Sequence, residues 1–214
     1  MGRIVTGLIL AIGWLLLLFV GTYPLFSLLI AAAGAVALYE FLRMSLSGAE
    51  SKYTFPVLAV GLLPLIGASL WGSGGMTLSL FLAFIILVIL TVSVYSSLDN
   101  GLVCRCSQWF GIFYIGFCAA HLILLRSLPN GIFWLLLLTA ITVFSDTAAY
   151  YTGRKLGKTK LCPNLSPGKT RAGAVGGIIG GMLGGLVVAA VAFESANLVM
   201  VGLLSITLSA IGII

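Results

Sequence analysis

Charge is what this sequence has least of. Of 214 residues only 7% are Asp, Glu, Lys or Arg, against about 25% in an ordinary soluble domain. A soluble fold of this size needs polar residues to cover its core, and there are too few here. Histidine is nearly absent: the single His121 rules out a metal site built on several imidazoles and reads as a packed or interfacial residue. The four cysteines, Cys104, Cys106, Cys118 and Cys162, form no CxxC pair and no zinc-type spacing. They read as reduced thiols without a role. The apolar runs lack the period-2 alternation of a barrel strand. Acidic residues number five against eleven basic ones, for a net charge of +6. The excess is local, since six of the basic residues lie between Arg154 and Arg171. That placement argues against nucleic acid and for an anionic headgroup, a phosphate-bearing substrate or a topological signal.

What is present is hydrocarbon. Hydrophobic residues make up 61% of the chain and mean hydropathy is +1.22. Each span in a bilayer must satisfy its own backbone hydrogen bonds, and a helix does so. The pattern predicts an all-α, polytopic transmembrane bundle of about eight helices, near 4–20, 24–42, 55–70, 76–97, 108–126, 131–151, 173–193 and 197–214. The third is short, and Pro56 and Pro64 are expected to kink or shorten it. The first run, with Arg3 before it, resembles a signal peptide but is followed by no small-x-small cleavage site, which favours a retained signal-anchor. One integral membrane domain is expected: helices over 1–126, a site-bearing helix and loop over 131–172, and a Gly-rich helix and last helix over 173–214. The last run ends at Ile214 without a polar tail, which predicts a chain cut inside or just after a helix.

Basic residues fall in alternate loops. Arg3, Arg43, Lys52, Arg105 and the six of 152–172 share one side, while the loops at 21–23, 71–75 and 127–130 contain none, with Arg126 at an edge. The positive-inside rule puts the N-terminus and the basic loop in the cytoplasm, and the C-terminus with them. Asp99-Asn100-Gly101 reads as turn chemistry, and Glu40 with Arg43 as a helix-end pair. Glycines at 173, 176, 177, 180, 181, 184 and 185 share a helix face. They predict close helix packing, with a homodimer as one use of that face and a cleared path for lipid or phosphate as another.

The polar stretch 145–173 carries the chemistry. Asp146 lies inside an apolar helix about one turn from its end, where a carboxylate is costly. It is expected either to ligate Mg²⁺ or to pair with a loop cation. Gly153-Arg-Lys-Leu-Gly157-Lys-Thr-Lys160 sets glycines among cations, so that backbone can approach phosphate; the P-loop spacing GxxxxGK[ST] is missed by one residue. Ser166-Pro-Gly-Lys-Thr170 adds hydroxyls and a cation just before a helix N-terminus, a favourable place for an anion.

In order, these pieces resemble the phosphatidate cytidylyltransferase (CDP-diacylglycerol synthase) family. Asp146, Thr147, Ala149, Tyr150, Gly153, Arg154, Gly157, Lys158, Lys160, Leu161, Pro163, Ser166, Pro167, Lys169, Thr170 and Gly173 match in one frame without insertion. Upstream, only Tyr39-Glu40-Phe41 is similar beyond hydrophobicity. The resemblance implies transfer of CMP from CTP to phosphatidate, with Mg²⁺ as cofactor, in a bacterial inner membrane with the active loop cytoplasmic. It implies Asp146 and Lys169 as catalytic residues and Asp146 as the metal ligand. Tyr150, Gly153, Arg154, Gly157, Lys158, Lys160, Ser166, Pro167 and Thr170 would contact substrate. Two departures stand out. Arg171-Ala172 replaces the family's Trp-Glu, and the family's second signature, rich in acids, would begin about where this chain stops. With one acid in the candidate site, a two-metal mechanism is not assembled from these residues. Two other readings stay open: a degenerate lipid-binding relative, and a CTP-dependent kinase of polyprenols.

Overall fold

The computed structural model describes residues 2–45, 53–93, 101–193 and 197–213. Lys52, Asp99 and Ile214, used above for topology and turn chemistry, lie outside the described residues. The order is α1 (Gly2–Phe19), α2 (Tyr23–Ser45), α3 (Thr54–Ser93), α4 (Gly101–Gly111), a π-helical turn (Ile112–Gly116), α5 (Phe117–Ser127), α6 (Gly131–Leu156), β1 (Lys160–Cys162), β2 (Ser166–Thr170), α7 (Arg171–Ala192) and α8 (Leu198–Ile213). Among the described residues the fold is helical apart from one two-stranded hairpin. Among the described residues, five helical stretches are long and apolar enough to cross a membrane: Tyr23–Ser45, Thr54–Ser93, Arg105–Ser127, Gly131–Leu156 and Arg171–Ala192. Val5–Phe19 and Leu198–Ile213 are shorter apolar helices. This is an integral membrane protein.

The chain divides into two compact units, Met1–Gly131 and Ile132–Ile214. The division falls in the short polar break that also ends the N-terminal run of helices in the sequence.

In the first unit, α3 has 40 residues. Straight, it would measure about 60 Å, roughly twice the hydrocarbon thickness of a bilayer. It is not straight. Gly72 has φ 66° and ψ −147°, a conformation glycine adopts without steric cost. A Cβ on Gly67 would strike the carbonyl of Gly75, eight residues on; in a straight helix that pair is about 12 Å apart. The chain therefore doubles back at Gly72, and the sequence break at 71–75 is this reversal. Pro64 lies buried inside the first half without ending it, and Pro56 sits in the first turn, where its missing N–H costs nothing. Leu38 and Leu42 of α2, Val57, Val60, Ala83 and Leu87 of the two halves of α3, and Ile112 form the core.

Two basic residues have structural work here. Arg105, counted above with the loops, belongs to α4. It is buried, donates to Gln108 Oε1 at 3.1 Å and lies over the Tyr53 ring. The helix starting at Gly101 removes it from the loop tally. Arg126, at the end of α5, reaches the carbonyls of Leu18 (3.4 Å) and Gly21 (3.2 Å). It thereby satisfies the Leu18 carbonyl at the end of α1, left without a helical partner, and the Gly21 carbonyl just beyond the helix. His121 is exposed, with Nδ1 2.9 Å from the Phe117 carbonyl and its ring 4.2 Å from that of Phe117. Cys106, Cys118 and Cys162 are free thiols.

In the second unit, α7 is packed on two faces through glycine. A side chain on Gly177, Gly181 or Gly185 would collide with Ile213, Ser209 or Ser205 of α8. One on Gly176, Gly180 or Gly184 would collide with Thr152, Ala148 or Phe144 of α6. Backbones can come this close only where Cβ is missing. The glycine stripe is thus used within the unit.

Candidate functional site

The site starts with the length of α6. The sequence suggested a helix ending near residue 151; it runs to Leu156. Asp146 therefore stands ten residues from the helix end instead of one turn. The extra turn is made of Thr152-Gly-Arg-Lys-Leu156, with no proline to stop it. Arg154 and Lys155 in the last turn complement the helix dipole. The consequence is a face: Asp146, Ala149, Tyr150, Gly153, Arg154 and Gly157 follow at helical spacing. What read as a loop motif is largely one stripe of a helix, and the period of 3.6 between Asp146 and Arg154 was the signal that could have shown it.

The rest of the stretch is a hairpin. Lys160 pairs with Thr170 and Cys162 with Ser166, antiparallel, with a register irregularity between them. The Arg171 N–H donates to the Thr159 carbonyl at 3.0 Å, which joins the hairpin to the start of α7.

Thr170 is the pivot. It is buried at 8% exposure and extended (φ −121°, ψ 154°), and its hydroxyl accepts from the Gly173 N–H at 3.1 Å, capping α7. A Cβ on Gly153 would lie 3.0 Å from Thr170 Oγ1, and one on Gly157 would lie 2.7 Å from both Oγ1 and Cγ2. These two glycines were expected to let backbone approach phosphate. In the structure they clear room for Thr170, so the start of α7 can rest on the end of α6. Thr170→Ala should cost about 1 kcal/mol of stability and Thr170→Ser much less, read as thermal unfolding in detergent. An Ala variant as stable as the parent would mean that the cap carries nothing.

These pieces enclose a cavity of about 400 Å³, within the range of small-molecule sites. Asp146, Tyr150, Gly153, Arg154, Gly157, Lys160, Lys169 and Thr170 line it. Three cations and one carboxylate thus line one cavity. Lys158, Ser166 and Pro167 do not line it; Lys158 and Pro167 are exposed and Ser166 half-buried. Arg154 Nη1 donates to the Tyr150 hydroxyl at 3.2 Å, one turn back on α6. Lys169 Nζ donates to the Ile213 carbonyl at 2.6 Å, which uses one of its three N–H donors. Asp146 is exposed and forms no ion pair among the described residues, so the pairing with a loop cation is not made. Among the described residues no three His, Cys, Asp or Glu side chains gather into a metal cluster. The arrangement can hold an anion against cations and the positive end of α7, with a carboxylate at the edge.

Comparison with known proteins follows the same residues. The profile of the Cytidylyltransferase family matches residues 1–214. The chain belongs to this family. A phosphatidate cytidylyltransferase of Bacillus subtilis is 33% identical over 183 residues, 81% of this chain and 65% of the relative. One from Staphylococcus haemolyticus is 30% identical over 182 residues, 81% of this chain and 66% of the relative. One from Brucella suis is 48% identical over 67 residues, 31% of this chain and 25% of the relative. The chain thus spans just under two thirds of the length of the first two. This cytidylyltransferase-family chain brings Asp146, Arg154, Lys160 and Lys169 to one cavity from three different elements.

Proposed function

We propose that this chain holds the nucleotide and phosphate site of a phosphatidate cytidylyltransferase. A phosphate oxygen of phosphatidate attacks the α-phosphorus of CTP. A P–O–P bond forms, the bond to the β-phosphate breaks, pyrophosphate leaves, and CDP-diacylglycerol stays in the membrane. One observation carries the reading: a carboxylate and three cations from α6, β1 and β2 converge on one cavity beside the N-terminus of α7. The relatives' names and the family match support it.

Bringing two phosphates together concentrates negative charge, so catalysis is chiefly positioning and neutralisation. In this reading Arg154, Lys160 and Lys169 hold phosphate oxygens, and Tyr150 orients Arg154. Thr170 fixes the helix end that faces the anion. Lys158, Ser166 and Pro167 shape and charge the hairpin. Mg²⁺ suits the donor set, because it takes one or two carboxylates and shares substrate phosphates; Asp146 is the carboxylate that would hold it. When bound, the ion would offset triphosphate charge.

The assignment also has a topology. Eight crossings, counting α3 twice and α4–α5 once, put the N-terminus and the hairpin on the cytoplasmic side of a bacterial inner membrane. Arg126 then lies on the opposite side, where its bonds to α1 account for it. Cys162 in the hairpin is an exposed thiol. A membrane-impermeant maleimide should label the Cys162 peptide in inside-out vesicles and not in intact cells; labelling in intact cells would reverse the topology. A homodimer would need a face other than the glycine stripe, such as exposed Val175, Ile179, Leu183 and Val187. Nucleic acid has no place in this reading.

The test is to offer membranes holding the chain Mg²⁺, phosphatidate or a polyprenol, and CTP labelled at either the α- or the γ-phosphate. Label from the α position in lipid is the expected result. Label from the γ position would mean a lipid kinase. Label from neither would mean that these 214 residues do not carry out the transfer by themselves.

A further inference from the structure

The cavity of the second unit uses only half of the local positive charge. Of the six basic residues between Arg154 and Arg171, Arg154, Lys160 and Lys169 line it, and Lys155, Lys158 and Arg171 do not. Those three are exposed. No acidic residue stands between Asp146 and Glu194 in the sequence, so nothing along this stretch offsets them. Lys155 has a partial account in the dipole of α6. Arg171 has the opposite: it opens α7, and a helix N-terminus disfavours a cation. Lys158 precedes Thr159, whose carbonyl accepts from the Arg171 N–H. The two cations therefore stand at the same end of the hairpin.

Apolar side chains accompany this charge. Leu165, in the turn between β1 and β2, is 89% exposed, more than any other large apolar residue among those described. Leu156, the last residue of α6, is 68% exposed. An exposed leucine on a span faces lipid, but Leu165 lies in a polar hairpin outside any span. The reach of the hairpin keeps it near the bilayer all the same. The helices on either side, α6 and α7, are both long and apolar enough to cross a membrane. Five residues, Ser166 to Thr170, lead from the turn to α7, about 17 Å of extended chain at most. The headgroup region itself is about 5–8 Å deep on each face.

We propose that the hairpin between α6 and α7 lies on an anionic membrane surface, with Lys155, Lys158 and Arg171 against lipid phosphates and Leu165 inserted beside the glycerol backbone. Lysine and arginine carry apolar stems as well as charged ends, so the three cations and the leucine suit one boundary. Attraction to an anionic leaflet is worth about five-fold in occupancy for each cation near it, and salt screens it. Burial of the leucine in the interface adds to that attraction. The surface lies outside the cavity and does not depend on the reaction assigned to it.

The test uses the whole chain carrying Cys104→Ser, Cys106→Ser and Cys118→Ser, with a fluorophore on Cys162, which is exposed in the hairpin. The protein is reconstituted in vesicles of phosphatidylcholine alone or mixed with phosphatidylglycerol. Quenching by a nitroxide near the top of the lipid acyl chain is read. Stronger quenching with phosphatidylglycerol is expected, and it should be lost at molar salt. Phosphatidylserine should act equally, since charge is what is recognised. Lys155→Gln, Lys158→Gln and Arg171→Gln together should remove the phosphatidylglycerol effect, with surface occupancy falling about five-fold per cation. Leu165→Ser should reduce quenching in both lipids. Lipid and salt dependence are read on the parent, so the proposal stays testable even if the triple variant does not fold. Quenching equal with and without phosphatidylglycerol would overturn the anionic surface and leave the exposed leucine for a protein partner. A response to one anionic headgroup alone would overturn it in favour of a built lipid site.

Discussion

Under the proposed function, Asp146→Asn should reduce CDP-diacylglycerol formation at least about 100-fold while leaving the protein folded in the membrane. Asn keeps the shape and one oxygen but loses the charge. Asp146 forms no ion pair among the described residues and stands exposed at the cavity, so its replacement breaks no salt bridge. The loss would fall on the chemistry, because the carboxylate is the group that would hold Mg²⁺ against the triphosphate. The check is labelled lipid per amount of folded protein, the latter read by monodisperse elution in detergent. Turnover equal to the parent would remove Asp146 from the site.

The second large effect is on the fold. Gly181→Leu should separate α7 from α8. A Cβ there meets Ser209 Oγ and lies 3.1 Å from the Ile141 carbonyl and from Ser209 Cβ, and a leucine adds three more carbons. Ser209 Oγ can rotate away, but the Ile141 carbonyl and Ser209 Cβ move only with their helices, so the leucine is not accommodated. Overpacking costs about 1–3 kcal/mol in a well-filled core. A whole isobutyl group between two helix backbones should reach the top of that range. Helix association in a membrane also depends on close van der Waals contact, so the loss has little to offset it. The expected result is a lower unfolding temperature in detergent and lost activity. Gly13→Ala is the control, because a Cβ at Gly13 meets nothing within 4 Å and Gly13 does not line the cavity. Equal stability of the two variants would contradict the packing described for α7.

Much of this was legible in the residues, and the parts that were not have physical causes. Hydrocarbon runs report spans because the bilayer imposes their length. The break at 71–75 was visible because reversing a helix needs a residue such as Gly72. The end of α6 was misplaced because hydropathy stops at Tyr151, whereas backbone hydrogen bonding continues to Leu156. Polarity marks where a helix leaves lipid, which is a different point from where it ends. The hairpin was missed because five residues of Ser-Pro-Gly-Lys-Thr carry no strand pattern; its pairing rests on the bonds joining Thr159 to Arg171 and on the seat of Thr170 between Gly153 and Gly157. Those glycines were legible as necessary, but their purpose lay in a residue 13 or more positions away. Arg105 looked like a loop cation because charge is a fair guide to exposure, and it fails where a neighbour such as Gln108 supplies a partner.

The central claim is that the cavity of the second unit is a nucleotide-phosphate site. Equilibrium binding of CTP to the purified 214-residue chain tests it most directly, with and without Lys160→Ala and Lys169→Ala together. CTP binding in the presence of Mg²⁺, weakened about ten-fold or more when both cations are removed, is the result predicted. Binding that the double variant leaves unchanged, or no binding by the folded parent, would contradict it.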